Sequence, residues 1–91
     1  MDQAAFETML RRDGYEMVAR SMAPGAVSPE HAHAFDARVL VTAGTFTLTI
    51  GGARRTYDPG EWCDVPAGTR HAEECGPDGV SLIIGRRSAA A

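Results

Sequence analysis

GAVSPEHAHAFDARVLVTAG, residues 25–44, carries two of the chain's three histidines, one residue apart. Side chains alternate between the faces of a β-strand, so His31 and His33 on such a strand project the same way, about 7 Å apart. Two imidazoles in that relation can chelate. Beyond them Phe35 and Ala37 keep the inward parity, while Asp36 and Arg38 fall on the opposite face. The third histidine, His71, lies in GEWCDVPAGTRHAEEC, residues 60–75, just after a Pro/Gly turn and at the start of a strand-like run.

The rest of the chain reads as short strands separated by turn residues. Asp2 can cap a helix over about residues 3–12, with Ala5, Phe6, Met9 and Leu10 on one apolar stripe and Glu7 and Arg11 as an i,i+4 pair; Asp13-Gly14 stops it. Strands are expected at 15–22, 38–43, 45–50, 53–57, 61–65, 70–75 and 80–85, besides the two-histidine segment. In 45–50 the alternation Thr-Phe-Thr-Leu-Thr-Ile points Phe46, Leu48 and Ile50 to the core and the threonines outward. Gly51-Gly52 is a hairpin turn, and Pro77-Asp78-Gly79 a second connection. About eight strands with Gly/Pro punctuation indicate an all-β sandwich or barrel. Residues 87–91 are expected to form a tail.

At 91 residues, 44% hydrophobic and 23% charged, the composition is that of one ordinary soluble globular domain. A net charge of −3 argues against nucleic acid as the main partner. All nine basic residues are arginines, and the doublets Arg11-Arg12, Arg54-Arg55 and Arg86-Arg87 read as solvated surface pairs. The N-terminal stretch MDQAAFETML has neither the apolar run of a signal peptide nor that of a membrane anchor, which points to a cytoplasmic protein with no membrane partner. In that compartment Cys63 and Cys75 are expected as free, buried thiols.

The two histidine stretches resemble the paired motifs of the cupin superfamily. The first, G-x5-H-x-H-x3,4-E-x6-G, is matched by Gly25, His31, His33 and Gly44, with Ala37 or Arg38 where the glutamate would stand. The second, G-x5-P-x-G-x2-H-x3-N, is matched by Gly60, Pro66, Gly68 and His71, with Cys75 in place of the asparagine. The resemblance covers residues 25–75. It implies a jelly-roll β-barrel over about 15–86, with the short helix closing one end or face. It also implies a homodimer, for which Leu40 and Ile83 are apolar outward candidates.

His31, His33 and His71 then become the metal ligands of a mononuclear site. Imidazole suits Fe, Zn, Ni and Cu, Mn being a further candidate, and three imidazoles leave positions open for water or substrate. Asp36 is a poor fourth ligand on parity. Glu73 is better, because it stands two residues after His71 and shares its face. It could be a weaker ligand or a nearby catalytic acid/base, unless a bulge turns it out to an edge. Cys75 could line the pocket or fill core. Phe35, Tyr57 and Trp62 could form an apolar wall for a small-molecule ligand, or fill core. The resemblance implies dioxygenases and isomerases as the commonest chemistries, and an all-histidine iron site resembles that of thiol dioxygenases. A ligand-binding barrel without catalysis, or a structural barrel with a vestigial site, shares the same fold.

Overall fold

A computed structural model describes residues 1–89. The protein is mostly antiparallel β with one short helix, in the order α1 (Gln3–Arg12), β1 (Glu16–Met22), β2 (Val27–His31), β3 (Phe35–Ile50), β4 (Ala53–Tyr57), β5 (Trp62–Val65) and β6 (His71–Ser88). Six strands replace the expected eight, because 38–43 and 45–50 are parts of β3, and 70–75 and 80–85 are parts of β6. Gly44 and the Pro77-Asp78-Gly79 connection do not end their strands. They bend them.

The bends make the roll. The first half of β3 (35–44) pairs with β5 on one side and with the second half of β6 (80–88) on the other, and this part of β6 also pairs with β1. After register shifts near Ala43 and Phe46, the rest of β3 pairs with β4 and with the start of β6, which also pairs with β2. The two long strands thus pass from one sheet layer to the other. Gly44, at φ +78°, is required at the crossing: a Cβ there would stand 1.9 Å from the carbonyl oxygen of Gly79.

Between the layers lies the main core, in which Ala37, Val39 and Val41 from the first half of β3 meet Phe46 and Leu48 from the second, with Val65, Val80 and Leu82. Strand alternation explains the set. Ile50, expected in this core, is exposed, since it ends β3 beside the Gly51-Gly52 turn. Tyr57, Cys63 and Cys75 are core fillers, and the two cysteines are free thiols.

A second, smaller core lies on the outer face. There α1 sets Phe6 and Leu10, both fully buried, against Tyr15, Leu40, Trp62 and Ile83. Asp2 caps the helix by accepting from Ala5 N–H at 2.8 Å, and Glu7 and Arg11 approach to 3.9 Å. Ala5, placed on the apolar stripe by periodicity, is exposed. The helix covers Leu40, 1% exposed, while Ile83 packs against the same cluster and stays partly exposed. Arg87 and Ser88 belong to β6 and not to a tail, with Ser88 opposite Phe35; residues 90 and 91 of the expected tail lie outside the described residues. No helix among the described residues is long and apolar enough to cross a membrane.

Candidate metal centre

His31 ends β2 and His71 begins β6, and the two stand directly opposite each other in the antiparallel register. Paired positions share a face, so their imidazoles meet, with ring centroids 4.3 Å apart. His33 reaches the same point by a different route from the expected one. It lies beyond the end of β2, in the link to β3, and strand parity does not place it. The Pro66–Thr69 turn does. His33 C=O accepts from Gly68 N–H at 2.9 Å, and Asp36 Oδ1 accepts from Ala67 N–H at 2.9 Å, so the link is fastened to the turn that leads into His71.

Two of the rings are oriented by backbone carbonyls. His31 Nδ1 lies 2.7 Å from Pro29 O, and His71 Nδ1 lies 2.9 Å from Thr69 O. A carbonyl oxygen only accepts, so each Nδ1 carries a proton and each Nε2 of the neutral ring is left with its lone pair. Those Nε2 atoms face inward. His31 Nε2 is 3.2 Å from His33 Nε2.

Glu73 joins them, two residues along β6 from His71 and on the same face. Its Oε1 is 3.2 Å from His71 Nε2 and 3.4 Å from His31 Nε2. It is not turned out at an edge. One donor atom from each of His31, His33, His71 and Glu73 lies within 4.8 Å of the others. Ligands held about 2.0–2.2 Å from one metal ion are themselves roughly 3–4 Å apart, which is the spacing of the close pairs here. The Nε2 lone pairs of His31 and His71 and the Glu73 carboxylate also repel one another unless a cation or a proton sits among them. The donor set therefore fits a divalent transition metal, and the carboxylate comes from β6 and not from Ala37 or Arg38 on β3.

Burial lowers the pKa of His33 below its ordinary value, with the neighbouring histidines adding to the effect, so the ring favours its neutral, ligating form. The His33 ring also stacks on Phe35, centroids 4.6 Å apart at 17°. Asp36 faces away, as parity requires, and pairs with Arg87 at 3.1 Å. Arg38 likewise lies outside and pairs with Asp13.

Next to the four donors a cavity of about 70 Å³ runs between the sheet layers. Phe35, Val39, Val65 and Ile84 are among its apolar lining, and His33, His71, Glu73 and Arg86 are its polar part. Of the three aromatic residues considered for a wall, Phe35 lines it. Trp62 packs under α1, 5.9 Å from Phe6, and Tyr57 fills the core. Cys75 does not line it either: its thiol points at Met22 O, 3.6 Å away. Burial pushes the Cys63 thiol up to about 12, with the nearby Glu73 charge contributing, so it is no nucleophile at neutral pH. Arg86 departs from the surface-doublet expectation. Arg87 is exposed, but Arg86 is half-buried and turns inward. The pattern Leu82, Ile84, Arg86 on alternate positions of the last strand was the available signal.

The chain resembles several solved structures. A cupin-2 domain containing protein from Shewanella frigidimarina superposes with a TM-score of 0.69 at 20% identity, over 82% of this chain and 71% of that one. A cupin 2 conserved barrel domain protein from Salinispora arenicola gives 0.71 at 27% identity, over 82% and 64%. KdgF from a Halomonas species gives 0.68 at 26% identity, over 80% and 69%. No curated protein sequence matches. The family model described as "Cupin domain" matches residues 19–81, more than two thirds of the chain, and with this match the chain belongs to the cupin family.

Proposed function

We propose that this cupin binds one divalent transition metal ion through His31, His33, His71 and Glu73, and acts on a small molecule entering the adjacent cavity. One observation carries the reading: four possible ligand atoms converge while the outer nitrogens of two rings are already held by backbone carbonyls. Such outer hydrogen bonds fix ring orientation and raise ligand basicity. When bound, the metal supplies Lewis acidity and a template for substrate in its remaining coordination positions. The protein supplies a buried face at His71, a partly open one at His31, and a largely apolar lining for the adjacent cavity.

Three imidazoles and one carboxylate form a mixed donor set, suited to Fe, Mn, Ni or Zn, and distinct from an all-histidine iron site. The reaction class favoured is a metal-dependent oxygenation or isomerisation of a small molecule. Metal content of protein purified without added metal, measured by plasma mass spectrometry, tests the site. One equivalent is expected in the wild type and none in a His31→Ala/His33→Ala/His71→Ala variant; a variant that keeps its metal overturns the assignment. Oxygen uptake and product analysis of the metal-loaded protein with thiols, diketones and catechols test turnover. Stoichiometric metal with silence across that panel favours a binding barrel.

A further inference from the structure

Among the described residues, Arg86 is the one cationic side chain lining the cavity. Arg38, on the outer face of β3, has Asp13 at 2.6 Å, and Arg87 has Asp36 at 3.1 Å. Arg86 forms no ion pair among the described residues, and its Nε is buried without a hydrogen-bond partner. Folded proteins satisfy such groups almost everywhere; Arg38 Nε is orphaned likewise, but its guanidinium is already paired with Asp13, whereas that of Arg86 has no anionic partner among the described residues. A guanidinium offers its N–H groups as a planar fork that matches a carboxylate in a bidentate pair.

The surroundings define the rest of the ligand. Arg86 stands opposite Ala37 in the register, and so small a neighbour leaves the space beside the guanidinium open. Its Cζ lies over the Phe35 ring, 5.2 Å from the centroid, and that same ring stacks on His33. Phe35 thereby sets the distance between the cation and the metal ligands. On its other flank Arg86 stands opposite Glu16 of β1 and borders a larger open depression with it, but Glu16 is exposed and makes no bond to it. The 70 Å³ of the cavity is room for roughly five waters, hence for a ligand of a handful of non-hydrogen atoms. With one cation, an apolar lining and the Glu73 carboxylate at the histidine end, the cavity suits a monoanion with a short hydrocarbon body better than a phosphate.

We propose that Arg86 binds the carboxylate of a small monocarboxylate, whose apolar body lies against Phe35, Val65 and Ile84 and whose other end faces the histidine cluster. Which end meets the metal rests on the reading under Proposed function; the carboxylate pairing does not.

The experiment titrates butyrate, its uncharged isostere butyramide, and inorganic phosphate into zinc-loaded and metal-free protein at fixed ionic strength. It follows ¹H–¹⁵N shifts, including the Arg86 Nε–H resonance. Butyrate is expected to bind at least tenfold more tightly than butyramide or phosphate and to move the Nε–H signal. Arg86→Met should reduce butyrate to the butyramide level, with Arg86→Lys restoring only part of the difference. Equal affinities for butyrate and butyramide in both forms, a preference for phosphate, or full butyrate affinity in Arg86→Met overturns the proposal. Should Arg86→Met fail to fold, the wild-type Nε–H signal decides: a shift with butyrate alone supports the pairing, and no shift overturns it. Failure to take up zinc would count against the metal reading only, because the metal-free arm still reads the carboxylate.

Discussion

Arg38 Nη1 donates to Asp13 Oδ2 at 2.6 Å, joining the residue that ends α1 to the outer face of β3. Arg38 occupies one of the two positions where the cupin motif would carry its glutamate, and here that position fastens the helix. Hydrogen bonds from Arg12 and Arg38 hold the Asp13 carboxyl well below its ordinary value of 3.8. A depressed folded-state pKa gives stability that is present above the unfolded value and is lost as pH falls toward the folded one. Asp13→Asn should therefore lower Tm at pH 7, and the gap to wild type should close as pH drops below about 4. Thermal melts at several pH values measure it, and a gap independent of pH would show that the ion pair is not its source.

Gly85 is where α1 seats on the roll. A Cβ at Gly85 would come 2.4 Å from Leu10 Cδ2, and Leu10 is fully buried. Gly85→Ala should destabilise by about 1–3 kcal/mol through overpacking, and Leu10→Ala by about 2–5 kcal/mol through the cavity it leaves. In the double variant the new methyl occupies part of that space. Denaturant unfolding of the four proteins should give a cost below the sum of the two singles. Simple additivity would place the helix elsewhere.

Both thiols should be inert in the folded protein. Cys63 and Cys75 are buried and unpaired, and burial shifts the Cys63 thiol far above neutral pH. Alkylation with iodoacetamide at pH 8 should label neither until denaturant is added. Labelling of Cys63 at the rate of a free thiol would contradict its place in the core.

Much of the site was legible in local spacing. His31, His33 and His71 follow from two short motifs, and Glu73 follows from one step of strand parity beyond His71. His33 shows the limit of that reasoning, because it meets its partners through the bond of Gly68 to a link that no strand pattern describes, with Ala67 bonded to the start of β3. Gly44 and Pro77-Asp78-Gly79 carry the residues of turns, yet the chain continues through them, since the same residues permit a sharp bend within a paired strand. What sequence could not place were contacts across layers. Leu40 looks outward in any strand, and only the docking of α1 shows that it is covered. Arg86 reads as half of a charged doublet until its register against Ala37 brings it beside the cavity.

Glu73 gives the sharpest test of the metal centre, because its charge can be removed with little change of shape. Its Oε1 faces the Nε2 atoms of His31 and His71, at 3.4 and 3.2 Å. With a metal present, the same oxygen would be a ligand or an immediate neighbour of the ion. Glu73→Gln keeps the volume, replaces one acceptor by an amide donor, and lets that donor face an imidazole lone pair. The metal-free variant should therefore melt no lower than metal-free wild type, while its metal affinity should fall by more than the roughly tenfold typical of losing an outer-shell partner. Competition with a chromogenic chelator gives the affinity, and calorimetric melts with and without metal give the stability. A variant that binds metal as tightly as wild type would remove Glu73 from the ligand set and leave three imidazoles. A variant that loses affinity only because its metal-free form unfolds would instead assign Glu73 to packing.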